Sequence, residues 1–159
     1  MEVIKPNTYF QDPVNGTSVF LAGSIEMGVA EDWQSTIVNH FKDDDVTFFN
    51  PRRDDWDSSW EQTEFNPEFN HQVNWELTRL TESDIAFFNI LPDTKSPITL
   101  MELGVCAAIH QHVIVCCPTG FWRKGNVDVI CSRAGIPVFE TFEAAIGALR
   151  TKLHMFADL

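Results

Sequence analysis

Cations are scarce in this 159-residue chain: Lys and Arg number 11 against 23 Asp and Glu, a formal net charge of −12. Polymeric nucleic acid is bound through Lys/Arg-rich faces, so DNA and RNA are excluded as partners. A small nucleoside or nucleotide is not, because one pocket needs only one or two local cations. Long apolar runs are missing too. None approaches the ~18 residues of a membrane span, and the opening MEVIKPNTYF has no signal-type apolar segment. A soluble, cytoplasmic protein with no membrane partner is the expectation. Cysteine is sparse and unpatterned: Cys106, Cys116, Cys117 and Cys131 stand in apolar surroundings without metal-type spacing, and read as reduced core residues. No basic residue lies close enough in sequence to activate one of them as a nucleophile. The five histidines form no H-x-x-x-H or Cys/His cluster, so no metal is expected. G-x-G-x-x-G and Walker sequences are both absent, which removes the dinucleotide fingerprint. No cofactor is expected.

What the chain does have is a regular alternation of apolar strands and helical stripes over an ordinary 44% hydrophobic content. SVFLAGS (18–24), VTFFN (46–50), DIAFFNIL (84–91), HVIVCCP (112–118) and IPVFE (136–140) read as strands. Between them, residues 30 to 42 carry Trp33, Ile37, Val38 and Phe41 at helical spacing. Phe69, Val73, Leu77 and Leu80 form a second stripe. A helix runs from about Thr99, a loop and short helix occupy 119–134, and Phe142 to Leu153 closes the chain. Continuous apolar strands alternating with helices specify a parallel sheet covered on both faces. The expected architecture is α/β: a flavodoxin-like or Rossmann-like three-layer sandwich of about five parallel strands, in one domain spanning 1–159.

In such sheets ligands bind beyond the carboxyl ends of the strands, near the switch in strand order. The loops there are the unusual parts of this sequence. AGSIEMG places Gly23, Ser24 and Ile25 after the first strand. It is either a plain strand-to-helix turn capped by Ser24, or a ligand loop in which Gly23 admits close backbone approach and Ser24 offers a hydroxyl and an N–H. NPRRDDWDSSW, with Asn50, Arg52, Asp55 and Trp56, is either a self-paired charge cluster or a stacking surface for a heteroaromatic base. Two Trp in a polar loop point to the second, since exposed indoles usually have a contact to cover them.

The most informative stretch is SPITLMELGVCAAI (96–109), where Glu102 opens an otherwise apolar helix. Thr99-Leu100-Met101-Glu102 fits a capping box, in which Glu102 merely serves the backbone. Alternatively Glu102 is a nucleophilic carboxylate held at a helix N-terminus. Glu76 lies at the margin of its own helix's buried stripe, and becomes functional if it faces Glu102, because paired acids can divide the roles of nucleophile and proton donor.

SDIAFFNILPDTKSPITLMELGVCAA, together with FLAGSIEMG and NPRRDDWDSSW, resembles the nucleoside 2-deoxyribosyltransferase superfamily over roughly Val19 to Pro137, in particular a deoxyribosyltransferase-like branch found in bacteria and phages. The resemblance implies cleavage of the N-glycosidic bond of a 2′-deoxynucleoside through a covalent deoxyribosyl–glutamate intermediate, with transfer of the sugar to another base. Glu102 resembles the nucleophilic glutamate. Glu76 falls where the family has an acid, commonly Asp, that assists proton transfer to the leaving base. Asn126 in RKGNVD resembles a residue donated by a neighbouring subunit to hold the sugar, which implies a homo-oligomer with shared active sites. Ser96 departs from the transferases, which have Asp there, and resembles the related monophosphate hydrolases, whose Ser is used on phosphate. Ser96 and Ser24, with Arg52 or Lys95, would then hold a nucleotide's phosphate. A non-catalytic nucleotide-binding module is the third reading of the same pocket.

Overall fold

The computed structural model of the chain describes residues 1–9, 12–109 and 112–158. Six parallel strands form one sheet: β1 (Glu2–Ile4), β2 (Thr17–Gly23), β3 (Val46–Phe49), β4 (Ile85–Asn89), β5 (Val113–Cys116) and β6 (Val138–Phe139). Their order is β1-β3-β2-β4-β5-β6. Five helices accompany them: α1 (Trp33–His40), α2 (Pro67–Glu82), α3 (Pro97–Ile109), α4 (Lys124–Ala134) and α5 (Phe142–Ala157). The fold is the expected flavodoxin-like or Rossmann-like three-layer α/β sandwich, with one strand more than expected. The extra strand, β1, is three residues long and pairs Glu2 with Thr47 and Ile4 with Phe49. So short a segment beside Pro6 carries no readable period of its own.

Alternation along each strand divides the core between the two faces of the sheet. On β2, Phe20 and Ala22 pack with Leu80 of α2, Leu103 and Cys106 of α3, and Val127 and Cys131 of α4. Val19 and Leu21 pack on the opposite side with Trp33, Ile37 and Phe41 of α1 and Leu149 and Leu153 of α5. The four inner strands, β2 to β5, are therefore buried on both faces, which is why period-2 patterning is invisible in the sequence. Among the described residues, no helix is long and apolar enough to cross a membrane.

Two helix starts differ from the sequence reading. Helix α3 begins at Pro97, a residue suited to a first helical position because its missing N–H needs no partner there. Thr99 is thus the third helical residue, and Glu102 the sixth, so the pair is not a capping box. Helix α2 begins at Pro67, two residues before the first residue of the expected stripe, with Asn66 Oδ1 accepting the Phe69 N–H at 3.1 Å. Its inner face is also rotated. Gln72 and Leu80 are buried and Trp75 packs on the core, whereas Leu77 of the expected stripe is 41% exposed.

The switch in strand order falls between β2 and β4, from whose ends the chain departs in opposite directions along the sheet. Contact there is very close. Gly23 has φ of +145°, and a Cβ at this position would lie 2.1 Å from the Asn89 carbonyl oxygen. The next residue, Ser24, donates its N–H to that same oxygen at 3.0 Å.

Candidate active site

Helices α2 and α3 stand side by side over one face of the sheet and each brings a carboxyl group inward. Glu102 is 9% exposed, on the same side of α3 as Leu103 and Cys106. Glu76 is partly buried on α2. Its helix is locked by Trp75, whose ring lies 6.3 Å from that of Phe20 and 6.1 Å from that of Phe49. Rotation of α2 about its axis would cost these contacts, so the apolar indole fixes where the neighbouring acid points.

Burial pushes both carboxyls up, because a low-dielectric setting disfavours the charged form. Glu76 rises to about 7, partly offset by a hydrogen bond from Gln72. Glu102 rises to about 8, through burial first and then through repulsion by Glu76. The two acids thus sense one another, and as a pair they carry a proton at neutral pH. Lying more than one turn into α3, Glu102 gains little from the helix dipole, which acts within the first turn. Cys106, one turn further, is pushed up to about 12 by burial and by Glu102. A thiol so raised is not a nucleophile at neutral pH.

Gln72 is a site residue that the sequence reading missed, although its i, i+4 spacing to Glu76 is the signal that would have found it. Its amide donates to Glu76 Oε1 at 2.6 Å and to the Pro51 carbonyl oxygen at 3.1 Å. The Gln72 oxygen in turn accepts from Arg53 at 3.5 Å. Arg53 continues outward as a fork onto Asp55, with Nε–Oδ1 and Nη2–Oδ2 both 2.9 Å, and lies 5.0 Å over the Trp60 ring. Hydrogen bonding to Arg53 holds the Asp55 carboxyl below the usual carboxylate range. Trp56 and Trp60 meet edge to face at 5.2 Å. The 52–60 loop is therefore self-paired and aromatic at once, and it is wired to the acid pair through Gln72. Trp56 Nε1 is buried with no hydrogen-bond partner among the described residues.

The other candidate residues form two groups, with Asn126 separate from both. Ser24, Thr94 and Ser96 form a closed ring of hydroxyls at 2.7–2.8 Å, and Ser24 Oγ also accepts the Leu91 N–H at 3.0 Å. Thr94, which the sequence reading did not single out, donates to the Leu91 carbonyl at 2.9 Å. Ile25 caps the following turn with its carbonyl, which accepts from Gly28 and Ala30. Asn50 is buried at the end of β3, its Oδ1 accepting the Arg52 N–H at 3.0 Å. The Arg52 guanidinium donates to the carbonyls of Gly28, Ala30 and Glu31 at 2.9–3.1 Å. It serves as a clamp on the 26–31 turn. Asn50 and Arg52 line an open groove of about 170 Å³ with Lys5, Asp32 and Asp54. Asn126 lies apart, exposed on α4, in a groove of about 270 Å³ walled by Leu100, Leu103, Trp122 and Val127. Neither groove is lined by Glu76 or Glu102. Among the described residues, no group of three or more His, Cys, Asp or Glu is placed to hold a metal ion.

A doubly wound parallel sheet with a ring of hydroxyls at its switch point and two buried acids on the helices over one face defines the α/β class of this protein. The chain belongs to the nucleoside 2-deoxyribosyltransferase-like family, whose model matches residues 16–121, more than half of its length. That span includes Gly23, Glu76, Ser96 and Glu102 and ends before Asn126. No curated protein matches the chain.

Proposed function

We propose that the protein is an enzyme that cleaves the N-glycosidic bond of a 2′-deoxynucleoside and transfers the sugar to a second base. The observation that carries this reading is the pair of buried, mutually repelling acids on α2 and α3. The productive state has Glu102 ionised and Glu76 protonated, the reverse of the order in which the free pair gives up its protons, so substrate binding moves the shared proton from Glu102 to Glu76. Glu102 attacks C1′ as an oxocarbenium-like transition state develops, forming a glycosyl ester, while Glu76 supplies the proton that leaves with the base. A second base then attacks C1′, displaces Glu102 and returns its proton to Glu76. The unpartnered Trp56 N–H and the adjoining Trp60 ring supply a donor and an aromatic edge suited to a heteroaromatic base. Gly23, Ser24, Ile25, Asn50, Arg52 and Asp55 form or brace the loops that surround the bound molecule.

A second reading is hydrolysis of a nucleoside 5′-monophosphate by the same route, with water as acceptor. The hydroxyl ring of Ser24, Thr94 and Ser96 beside the start of α3 favours it. We further propose a homo-oligomer, with Asn126 completing a neighbouring subunit's site. Ile98, Met101, Val105 and Ile109 are 56%, 65%, 38% and 60% exposed and repeat at helical spacing along α3, an apolar stripe that a second copy would cover.

Incubation with a 2′-deoxynucleoside, with and without a second free base, tests the reaction. Exchange of bases with a deoxyribosyl adduct on Glu102 detected by mass spectrometry is the expected result. Release of base only from a monophosphate supports hydrolysis, and binding with no turnover supports a non-catalytic module.

A further inference from the structure

Glu26 is an acid to which the mechanism assigns no work. It opens the 3-10 turn Glu26–Gly28, two residues after Ser24. Its Oε1 accepts the backbone N–H of Lys95 at 3.0 Å and of Ser96 at 2.8 Å, with the Ser96 hydroxyl at 3.5 Å. Among the described residues, only Glu26 and Ser96 combine a side chain with positive φ, +48° and +45°. Both ends of this one contact are thus in the left-handed region, which residues other than glycine hold only where the surroundings enforce it. Arg52 does part of the enforcing by gripping the carbonyls of Gly28, Ala30 and Glu31 behind the turn.

Two consecutive N–H groups converging on one oxygen make an anion seat, and here the anion is the protein's own carboxylate. Its place matters. Ser96 is in the hydroxyl ring at the switch point and directly precedes α3. Glu102 lies six residues on, about 9 Å along the axis, and helical side chains lean back toward the N-terminus. A sugar with C1′ at Glu102 and its ring toward Ser24 and Ser96 therefore turns its 5′ end to Glu26.

We propose that Glu26 is a specificity-determining residue that fills this seat and confines the enzyme to substrates uncharged at the 5′ end. The inference rests on the reading of Glu102 as the sugar's attacker. A 5′-hydroxyl can donate to the Glu26 carboxylate and be accepted. A 5′-phosphate carries a charge of about −1.5 to −2 at neutral pH. It must either evict a carboxylate that already holds both N–H groups or sit against it as a like charge.

The test is a pair of variants, Glu26→Gln and Glu26→Ala, assayed on a 2′-deoxynucleoside and on its 5′-monophosphate, with circular dichroism to verify folding. The wild type is expected to prefer the nucleoside. Glu26→Gln, which keeps the shape and removes the charge, is expected to shift the kcat/KM ratio toward the monophosphate by about tenfold or more, the scale of one charge–charge contact near a protein surface. In parallel, inorganic phosphate is titrated into all three proteins and followed by thermal shift. Saturable stabilisation of the variants alone is expected. An unchanged substrate ratio in Glu26→Gln, or equal phosphate stabilisation of wild type and variants, overturns the proposal. Absence of turnover on either substrate overturns the catalytic reading instead, and the phosphate titration then decides whether Glu26 plugs an anion seat.

Discussion

At the scale of the residue, the chemistry turns on how two carboxyls share protons. A carboxyl in an unfolded chain ionises near pH 4.3, whereas Glu76 and Glu102 hold protons to about 7 and about 8. The native state therefore binds more protons than the unfolded state between these limits, and stability falls as pH rises from about 5 through 8. Glu102→Gln should remove turnover by on the order of 10⁴-fold while raising the melting temperature at pH 8, a gain that shrinks toward pH 5. Loss of activity with an equal loss of stability at both pH values would show a structural role only. Glu76→Gln should lower the pKa of Glu102, since the charge that opposes its ionisation is gone, and should move the acid limb of the kcat/KM profile to lower pH. Its rate loss should be smaller for substrates with better leaving bases; an equal loss for all bases argues against proton donation. Both acids were legible in the sequence as charged residues beside apolar stripes. Gln72 was legible only through its i, i+4 spacing to Glu76, and Thr94 and Glu26 were not, because their partners Ser24, Lys95 and Ser96 are assembled around them only when the loops after β2 and β4 come together.

At the scale of the element, helix α2 shows why a stripe drawn from apolar residues alone is rotated from the true inner face. Gln72 and Leu80 are the buried residues, because the polar Gln72 finds Pro51 and Glu76 as partners and can be buried at little cost. Leu77, with no polar obligation, is left outside. Gln72→Leu should strand the Pro51 carbonyl and cost about 1–3 kcal/mol in denaturant unfolding, and should raise the Glu76 pKa further by removing its donor. The apolar strands were readable as runs, but β1 was not, since three edge residues do not make a run. Gly23 is the element-scale hinge of the site. Gly23→Ala would drive a methyl group against the Asn89 backbone at positive φ, so urea unfolding should show a loss of at least ~2 kcal/mol, with β2 and β4 parted where the hydroxyl ring forms.

At the scale of the whole molecule, the exposed apolar stripe on α3 is where the proposed homo-oligomer can be tested. Met101→Glu and Val105→Glu introduced together should shift the protein to monomer in light scattering and, where Asn126 serves a neighbour, reduce turnover with it. An unchanged mass would remove the shared-site proposal and leave the acid pair intact. The three-layer plan also hides all four thiols: Cys106, Cys116, Cys117 and Cys131 are buried and free, and burial lifts each to about 11 or 12. They are spread over α3, β5, the loop after it and α4. Alkylation in the folded state must then wait for the layers to part, so the rate at which each sulfur takes up label is a clock of local breathing. The sulfur on α3, one turn from Glu102, times the opening of the layer that carries the acid pair.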